Sequence, residues 1–210
     1  MQLNINILKN ALQQPLPGEK IQLQMAPSTR PIINSTHLKI TDYKQSAVMV
    51  VLCVDETNNF FIPLIERETY NGTHSGQISL PGGKFDLEDL DLETTAKREC
   101  FEEIGLTSIE VLGKLTSVYI PVSGFLVQPY LGYFEVKNPN FVKHEREVKS
   151  ILNLSIEELL DDNIVKNGSV TLDLSINHPY FEMKEYKIWG ATAMILNEVK
   201  AVLKEVSHFE

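Results

Sequence analysis

The longest apolar run in the chain spans 46–54 and is rich in β-branched residues (Val48, Val50, Val51, Val54), which predicts a central strand buried on both faces. Polar residues 55–59 make a turn and 60–66 returns as a second strand, so the two read as a hairpin. Upstream, Leu3, Ile7, Leu8 and Leu12 recur at helical spacing, and the pattern stops before Pro15 and the Pro17-Gly18 pair. Residues 19–44 are polar and punctuated by prolines, and are expected to wrap the body as an extended arm. After a loop come residues 77–80, and then Pro81-Gly82-Gly83, which should break any regular element. A helix is predicted over 92–104, with Asp91 as its N-cap and Gly105 at its stop. Strands follow at 109–119, 126–135 and 148–152, and a capping box of Ser155 and Glu158 opens a short helix ending at Leu160. Alternation at 170–174 and 180–188 reads as two more strands, and an amphipathic helix covers 191–206. Strands with interspersed helices predict an α+β fold with a mixed β-sheet between helices. Residues 1–44 are read as an N-terminal helix and arm packed on a domain spanning 45–210.

Composition changes this picture little and bounds the partners. The 210 residues are 43% hydrophobic and 22% charged, ordinary for a globular chain, with no internal repeat or low-complexity stretch. A net charge of −9 argues against a nucleic-acid or anionic-membrane partner. It leaves room for a small anionic substrate, because a metal ion can supply positive charge locally. Cys53 and Cys100 have neither CxxC nor zinc-type spacing and are expected to be buried thiols. With no signal-peptide pattern, they point to a reducing, cytoplasmic setting. The run at 46–54 is too short to span a bilayer.

The chemistry is concentrated in the helix over 92–104 and the turn before it. Glu99, Glu102 and Glu103 stand at i, i+3 and i+4, so three carboxylates share one helix face. They fall in the last two turns, where the helix dipole is negative. Like-charge pairs and this placement together cost the ligand-free chain about 1–3 kcal/mol, and Arg98 offsets part of that by reaching Glu102 at i+4. A face that needed only solvation would carry lysines there. A hard divalent cation relieves the repulsion, since Mg2+ takes oxygen ligands from carboxylates and from substrate phosphates. Pro81-Gly82-Gly83 complements the acidic face, because glycine lets a backbone carbonyl approach a metal or a backbone N–H approach a phosphate oxygen.

Taken together, Gly83, Arg98-Glu99, Glu102-Glu103 and Gly105-Leu106 resemble the Nudix box, a glycine followed by Arg-Glu-apolar-x-Glu-Glu-x-Gly-apolar. The interval from Gly83 to Arg98 is one residue longer than in the general box, and Asp86 and Asp89 occupy that loop where an early glutamate is usual. The coenzyme A diphosphatase branch of the family has this longer interval with aspartates in it. Arg67, leading into His74 and then Gly76-Gln77 and Leu80-Pro81-Gly82-Gly83, is similar to that branch's upstream signature. Leu80 stands there in place of a phenylalanine and Gly72 in place of a basic residue. Segments 121–125 and 188–192, with Pro129-Tyr130 and Glu147-Val148, also resemble that branch, so the likeness runs from about residue 45 to 200.

The resemblance implies a Nudix-like α/β/α sandwich and metal-dependent hydrolysis of the diphosphate of coenzyme A or its derivatives, giving 4′-phosphopantetheine and adenosine 3′,5′-bisphosphate. It implies Mg2+ or Mn2+ held by Glu102 and Glu103 with the Gly83 carbonyl, and Glu99 bridging a metal or deprotonating the attacking water. Glu147 resembles a distal glutamate used as ligand or base, and Arg98 would orient the glutamates. Arg67 and His74, with Gly82 and Gly83, are the candidates for binding the substrate. Tyr119, Phe125, Tyr130 and Trp189 are read as core packing rather than as an adenine platform, and the run 143–149 as a solvated face apart from Glu147. ADP-ribose, NADH or another nucleoside diphosphate derivative is the alternative substrate, and a non-catalytic nucleotide-binding regulator the alternative class. A homodimer is allowed for, though no motif specifies one.

Overall fold

In the computed structural model, which describes residues 3–27, 30, 43–68, 77–170 and 177–207, the apolar run becomes β1 (Lys44–Val54). Strand β1 pairs in parallel with β7 (Phe125–Tyr133) along its length from Lys44 to Leu52. Its other edge is shared. The antiparallel β4 (Gly82–Lys84) lies against Ser46–Val48, and the antiparallel β2 (Phe60–Arg67) against Cys53 and Val54. Beyond β2 lie β3 (Ile78–Ser79) and β8 (Val148–Ser155), and beyond β7 lie β5 (Glu110–Lys114) and β6 (Val118–Ile120), completing a mixed sheet of eight strands.

The two-residue period of β1 explains why a continuous apolar run is needed. Ala47, Met49, Val51 and Cys53 face α3 (Leu92–Ile104) and pack with its Ala96, Cys100 and Ile104. Val50 and Leu52 point to the opposite face, into a core shared with α1 (Ile5–Ala11), α4 (Ile156–Leu160) and α5 (Gly190–Ser207). The sheet is therefore sandwiched between helices, as the α+β expectation has it. Both cysteines are buried and free, and burial pushes the Cys53 thiol up to about 12. Among the described residues no helix is long and apolar enough to cross a membrane.

The helix over 92–104 forms as read, with the Asp91 side chain accepting from Thr94 N–H and Gly105 at φ +76° as its left-handed stop. The Ser155–Glu158 capping box is present in both directions. Four expectations are corrected. Residues 19–25 are not extended: α2 (Gly18–Gln22) and a 3-10 turn (Leu23–Met25) occupy them, with Pro17 as N-cap at φ −55°, an angle that starts a helix as readily as it stops one. Pro81-Gly82-Gly83 does not end regular structure, because Gly82 and Gly83 pair with Val48 and Ala47 in β4. The strand read at 109–119 is two strands, β5 and β6, on the same partner β7. The strand read at 180–188 is a hairpin of β10 (His178–Met183) and β11 (Tyr186–Ile188), turned at Lys184 with φ +54°, and an unforeseen β9 (Val165–Gly168) joins it. Most of the strand read at 170–174 lies outside the described residues.

Helix α1 packs against α5 through the apolar core, and α2 docks on it through one carboxylate. Glu198 is fully buried and accepts from Gly18 N–H (3.1 Å), Gln22 Nε2 (2.9 Å), Thr116 N–H (3.0 Å) and Thr116 Oγ1 (2.6 Å). Asn197 Nδ2 adds a bond to Ile21 O at 2.8 Å. These contacts tie α2, the β5–β6 connection and α5 into one layer.

Candidate active site

Strand β4 brings Gly83 against the middle of α3. A Cβ on Gly83 would lie 2.4 Å from the Glu99 carboxylate, so only glycine lets that carboxylate rest on the strand backbone. Next to it, Gly82 N–H donates to Glu103 Oε2 at 2.8 Å. Arg67, at the end of β2, donates to Ser79 Oγ (3.1 Å) and Gly82 O (3.3 Å), and its Nη2 lies 3.4 Å from Glu103 Oε1. Arg67, a candidate for substrate binding by the resemblance, thus lies at the buried end of the acidic face.

The three glutamates sit at graded depths. Glu103 is 1% exposed, and burial pushes its carboxyl up to about 7, with Glu99 and Glu147 adding to the rise and Arg67 and the Gly82 N–H opposing it. Glu99 is raised as well, first by burial, against the pull of Arg98. The side chain of Glu102 is half exposed. Arg98 spans the outer two, bonding Glu99 Oε1 at 2.8 Å and Glu102 Oε2 at 3.1 Å. Its other side grips Asp89 through two bonds of 3.0 Å, and Thr95 Oγ1 donates to the same aspartate at 2.8 Å.

Asp89 is the residue whose role sequence reasoning missed. It stands in the long Gly83–Arg98 loop with no partner evident from the sequence, and its spacing from Arg98 is not a helical one that periodicity could reveal. Arg98 holds its carboxyl down at about 2 from an ordinary 3.8. A depressed carboxylate stabilises the fold above its unfolded value and loses that contribution as pH falls through its folded value. The Asp89 contribution of about 2 kcal/mol is therefore complete above pH 3.8 and lost as pH falls through about 2. Asp89→Asn is expected to lower urea stability by that amount at neutral pH, with the gap from wild type closing at pH 2; a gap that persists there would show the effect to be packing.

Glu147 reaches the site from another element. The end of α3 is closed by segment 142–147, where Val142 N–H donates to Ile104 O and His144 N–H to Glu103 O, both at 3.0 Å. A turn follows in which His144 O accepts from Glu147 N–H (3.1 Å) and Val148 N–H (2.9 Å). This sets Glu147 close enough to Glu99 and Glu103 to raise both carboxyls. Of the residues read from sequence as site residues, Arg67, Gly82, Gly83, Arg98, Glu99, Glu102, Glu103 and Glu147 thus come together. His74 lies outside the described residues.

Among the described residues no three acidic, histidine or cysteine side chains already converge at ligand distance of one point. The reason is visible: Arg98 holds Glu99 and Glu102, and Gly82 N–H with Arg67 holds Glu103. The donors nevertheless fit a hard divalent cation, being all oxygen, with a glycine carbonyl beside them and one carboxylate buried at a cost that a cation would relieve.

The NUDIX domain family model matches residues 43–173, from the start of β1 through the strands that frame this cluster. The chain belongs to the Nudix family. This Nudix chain is 32% identical over 170 residues to Nudix hydrolase 15, mitochondrial, of Arabidopsis thaliana, covering 77% of its own length and 59% of the plant protein's. It is 28% identical over 184 residues to the Nudix hydrolase NudL of Yersinia pestis, covering 86% of its own length and 89% of the relative's. In fold, this Nudix chain is similar to a MutT/nudix family protein of Enterococcus faecalis, with TM-score 0.55 and 15% identity over 97% of this chain and 76% of that one. A mutT/nudix family protein of Listeria innocua gives TM-score 0.52 at 17% identity, over 80% and 98% of the two chains.

Proposed function

We propose that this Nudix chain is a hydrolase that cleaves the diphosphate of coenzyme A or its derivatives, releasing 4′-phosphopantetheine and adenosine 3′,5′-bisphosphate. The observation that carries the hydrolytic reading is one acidic face against β4: Glu99 rests on Gly83, Glu103, buried and raised to about 7, bonds Gly82 N–H, Arg98 links Glu102 to Glu99, and Glu147 lies close enough to raise Glu99 and Glu103. Glu102, Glu103 and the Gly83 carbonyl would hold Mg2+ or Mn2+, which when bound neutralises the diphosphate and lowers the pKa of an attacking water. Glu99 or Glu147 takes the proton from that water on a carboxylate oxygen. Arg98, anchored on Asp89, fixes the Glu99 carboxylate over Gly83. Arg67 keeps the Gly82–Gly83 backbone in register with Glu103.

The coenzyme A assignment is supported by the lengthened Gly83–Arg98 loop, in which Asp89 supplies the anchor for Arg98. Product analysis with coenzyme A beside ADP-ribose, in Mg2+ and in Mn2+, tests it. The expected products are the two named above, formed only with a divalent cation. Turnover of ADP-ribose without coenzyme A would move the substrate, and cleavage of neither across a nucleotide panel would favour a binding module.

A further inference from the structure

Beside the last turn of α3 opens a groove of about 840 Å³, lined by Glu102 and Glu147 together with Phe101, Val142 and Arg146. Its size suits a small organic ligand, for which sites run to roughly 300–1,000 Å³. Glu102 and Glu147 belong also to the carboxylate cluster, so the groove is continuous with the place of cleavage. One wall is apolar: Phe101 is 56% and Val142 63% exposed, an aromatic ring and a branched side chain left uncovered at the edge of the acidic cluster. The other wall is of mixed charge, with Lys143 and Arg146 beside Glu145 and Glu147. Lys143 is engaged, by the Glu145 carboxylate at 3.1 Å and by Lys149 O. Arg146 is exposed and has no hydrogen bond or ion pair among the described residues.

In a chain of net charge −9, that guanidinium stands where an anionic substrate would otherwise meet glutamates. Its planar fork matches two oxygens of a phosphate group, and an aromatic face with a branched neighbour matches a nucleobase. We infer that this groove is the specificity subsite of the proposed reaction: the base lies against Phe101 and Val142, and Arg146 binds a phosphomonoester carried by the nucleoside in addition to the diphosphate. The assignment rests on the reading of the neighbouring cluster as a diphosphate hydrolase, and it turns the 143–149 run from a solvated face into part of the site.

The test uses pairs that differ by one phosphomonoester. Wild type and Arg146→Gln are assayed with coenzyme A and with 3′-dephospho-coenzyme A, and both proteins are titrated calorimetrically with adenosine 3′,5′-bisphosphate and with adenosine 5′-monophosphate. Wild type is expected to favour the phosphorylated member of each pair. Arg146→Gln should raise KM for coenzyme A roughly tenfold at nearly unchanged kcat and weaken bisphosphate binding by the same factor, leaving the other member of each pair unchanged. Arg146→Lys should recover part of the loss. A wild type with no preference within the pairs, or an Arg146→Gln protein that loses both members equally, overturns the subsite. Because the titration needs no turnover, binding of the bisphosphate through Arg146 without cleavage of coenzyme A would uphold the subsite and sink the proposed function alone.

Discussion

Glu103→Gln is expected to lower kcat by about 10³-fold on whichever diphosphate substrate the chain turns over, while stabilising the ligand-free protein at alkaline pH. Both effects come from one buried carboxyl. Its folded value of about 7 lies above the ordinary 4.5, so the folded state holds a proton that the unfolded state releases. For a carboxyl shifted upward, stability is complete below the unfolded value and falls as pH rises through the folded one. In chelator, wild type should thus lose about 3 kcal/mol between mildly acidic pH and pH 8 or above, while Glu103→Gln should lose clearly less, keeping only the smaller pH dependence that the raised Glu99 carboxyl contributes. Urea titrations at pH 5 and pH 8.5 measure this directly. Adding Mg2+ or Mn2+ should restore wild type at pH 8.5 and leave the variant unmoved. A variant that cleaves at the wild-type rate, or a wild-type stability indifferent to both pH and cation, would remove Glu103 from the site. The amide introduced by this exchange keeps an oxygen for the Gly82 N–H, so the local hydrogen bond survives.

The second large effect is far from that chemistry. Glu198→Ala is expected to destabilise the protein by about 3–5 kcal/mol, because it strands several donors that the carboxylate now satisfies. A neutral hydrogen bond lost at a surface would cost far less. The difference here is that Glu198 is fully buried, so water does not replace it without opening the layer. Gln22 would keep its bond to Thr116 O, whereas Gly18 N–H and Thr116 N–H would each lose the only partner described for them. Thermal or urea unfolding reads the change. Glu198→Gln distinguishes the causes: it keeps the shape but turns an NH2 toward donors, and should recover less than half of the loss. A value under about 1 kcal/mol for Glu198→Ala would show that solvent reaches this contact freely.

What the sequence displays well is what local chemistry settles. Helix α3 is legible from end to end because its cap, its acidic face and its glycine stop all lie within fifteen residues of one another. Strand β1 is legible because burial on both faces demands an unbroken apolar run. Strand β4 is hidden by the same glycines that make it useful. A Gly-Gly pair reads as a breaker, yet a Cβ at position 82 would stand 2.4 Å from Ala47 O, so close approach to β1 is what those glycines serve. The helical path of 18–25 is hidden because its reason is the distant Glu198 and Asn197 on α5. In the site, the partnership of Asp89 with Arg98 and the exposure of Arg146 in the groove are matters of three-dimensional neighbourhood that spacing along the chain does not express.

The parallel pairing of β1 with β7 joins residues 81 apart at every position from Lys44 to Leu52. Nearly all of the acidic cluster, from Arg67 through β4 to α3, lies inside the chain segment that this pairing closes. Contacts of such span form late in folding and slow it, since the loop must be closed before the pairing rewards it. The amides of β1 and β7 should accordingly exchange with solvent together, as one cooperative unit of high protection, and the acidic helix should acquire its fixed geometry only when that unit closes. On that view, nascent chains that have not yet emitted β7 carry every residue of the Gly83–Glu103 motif and none of its arrangement.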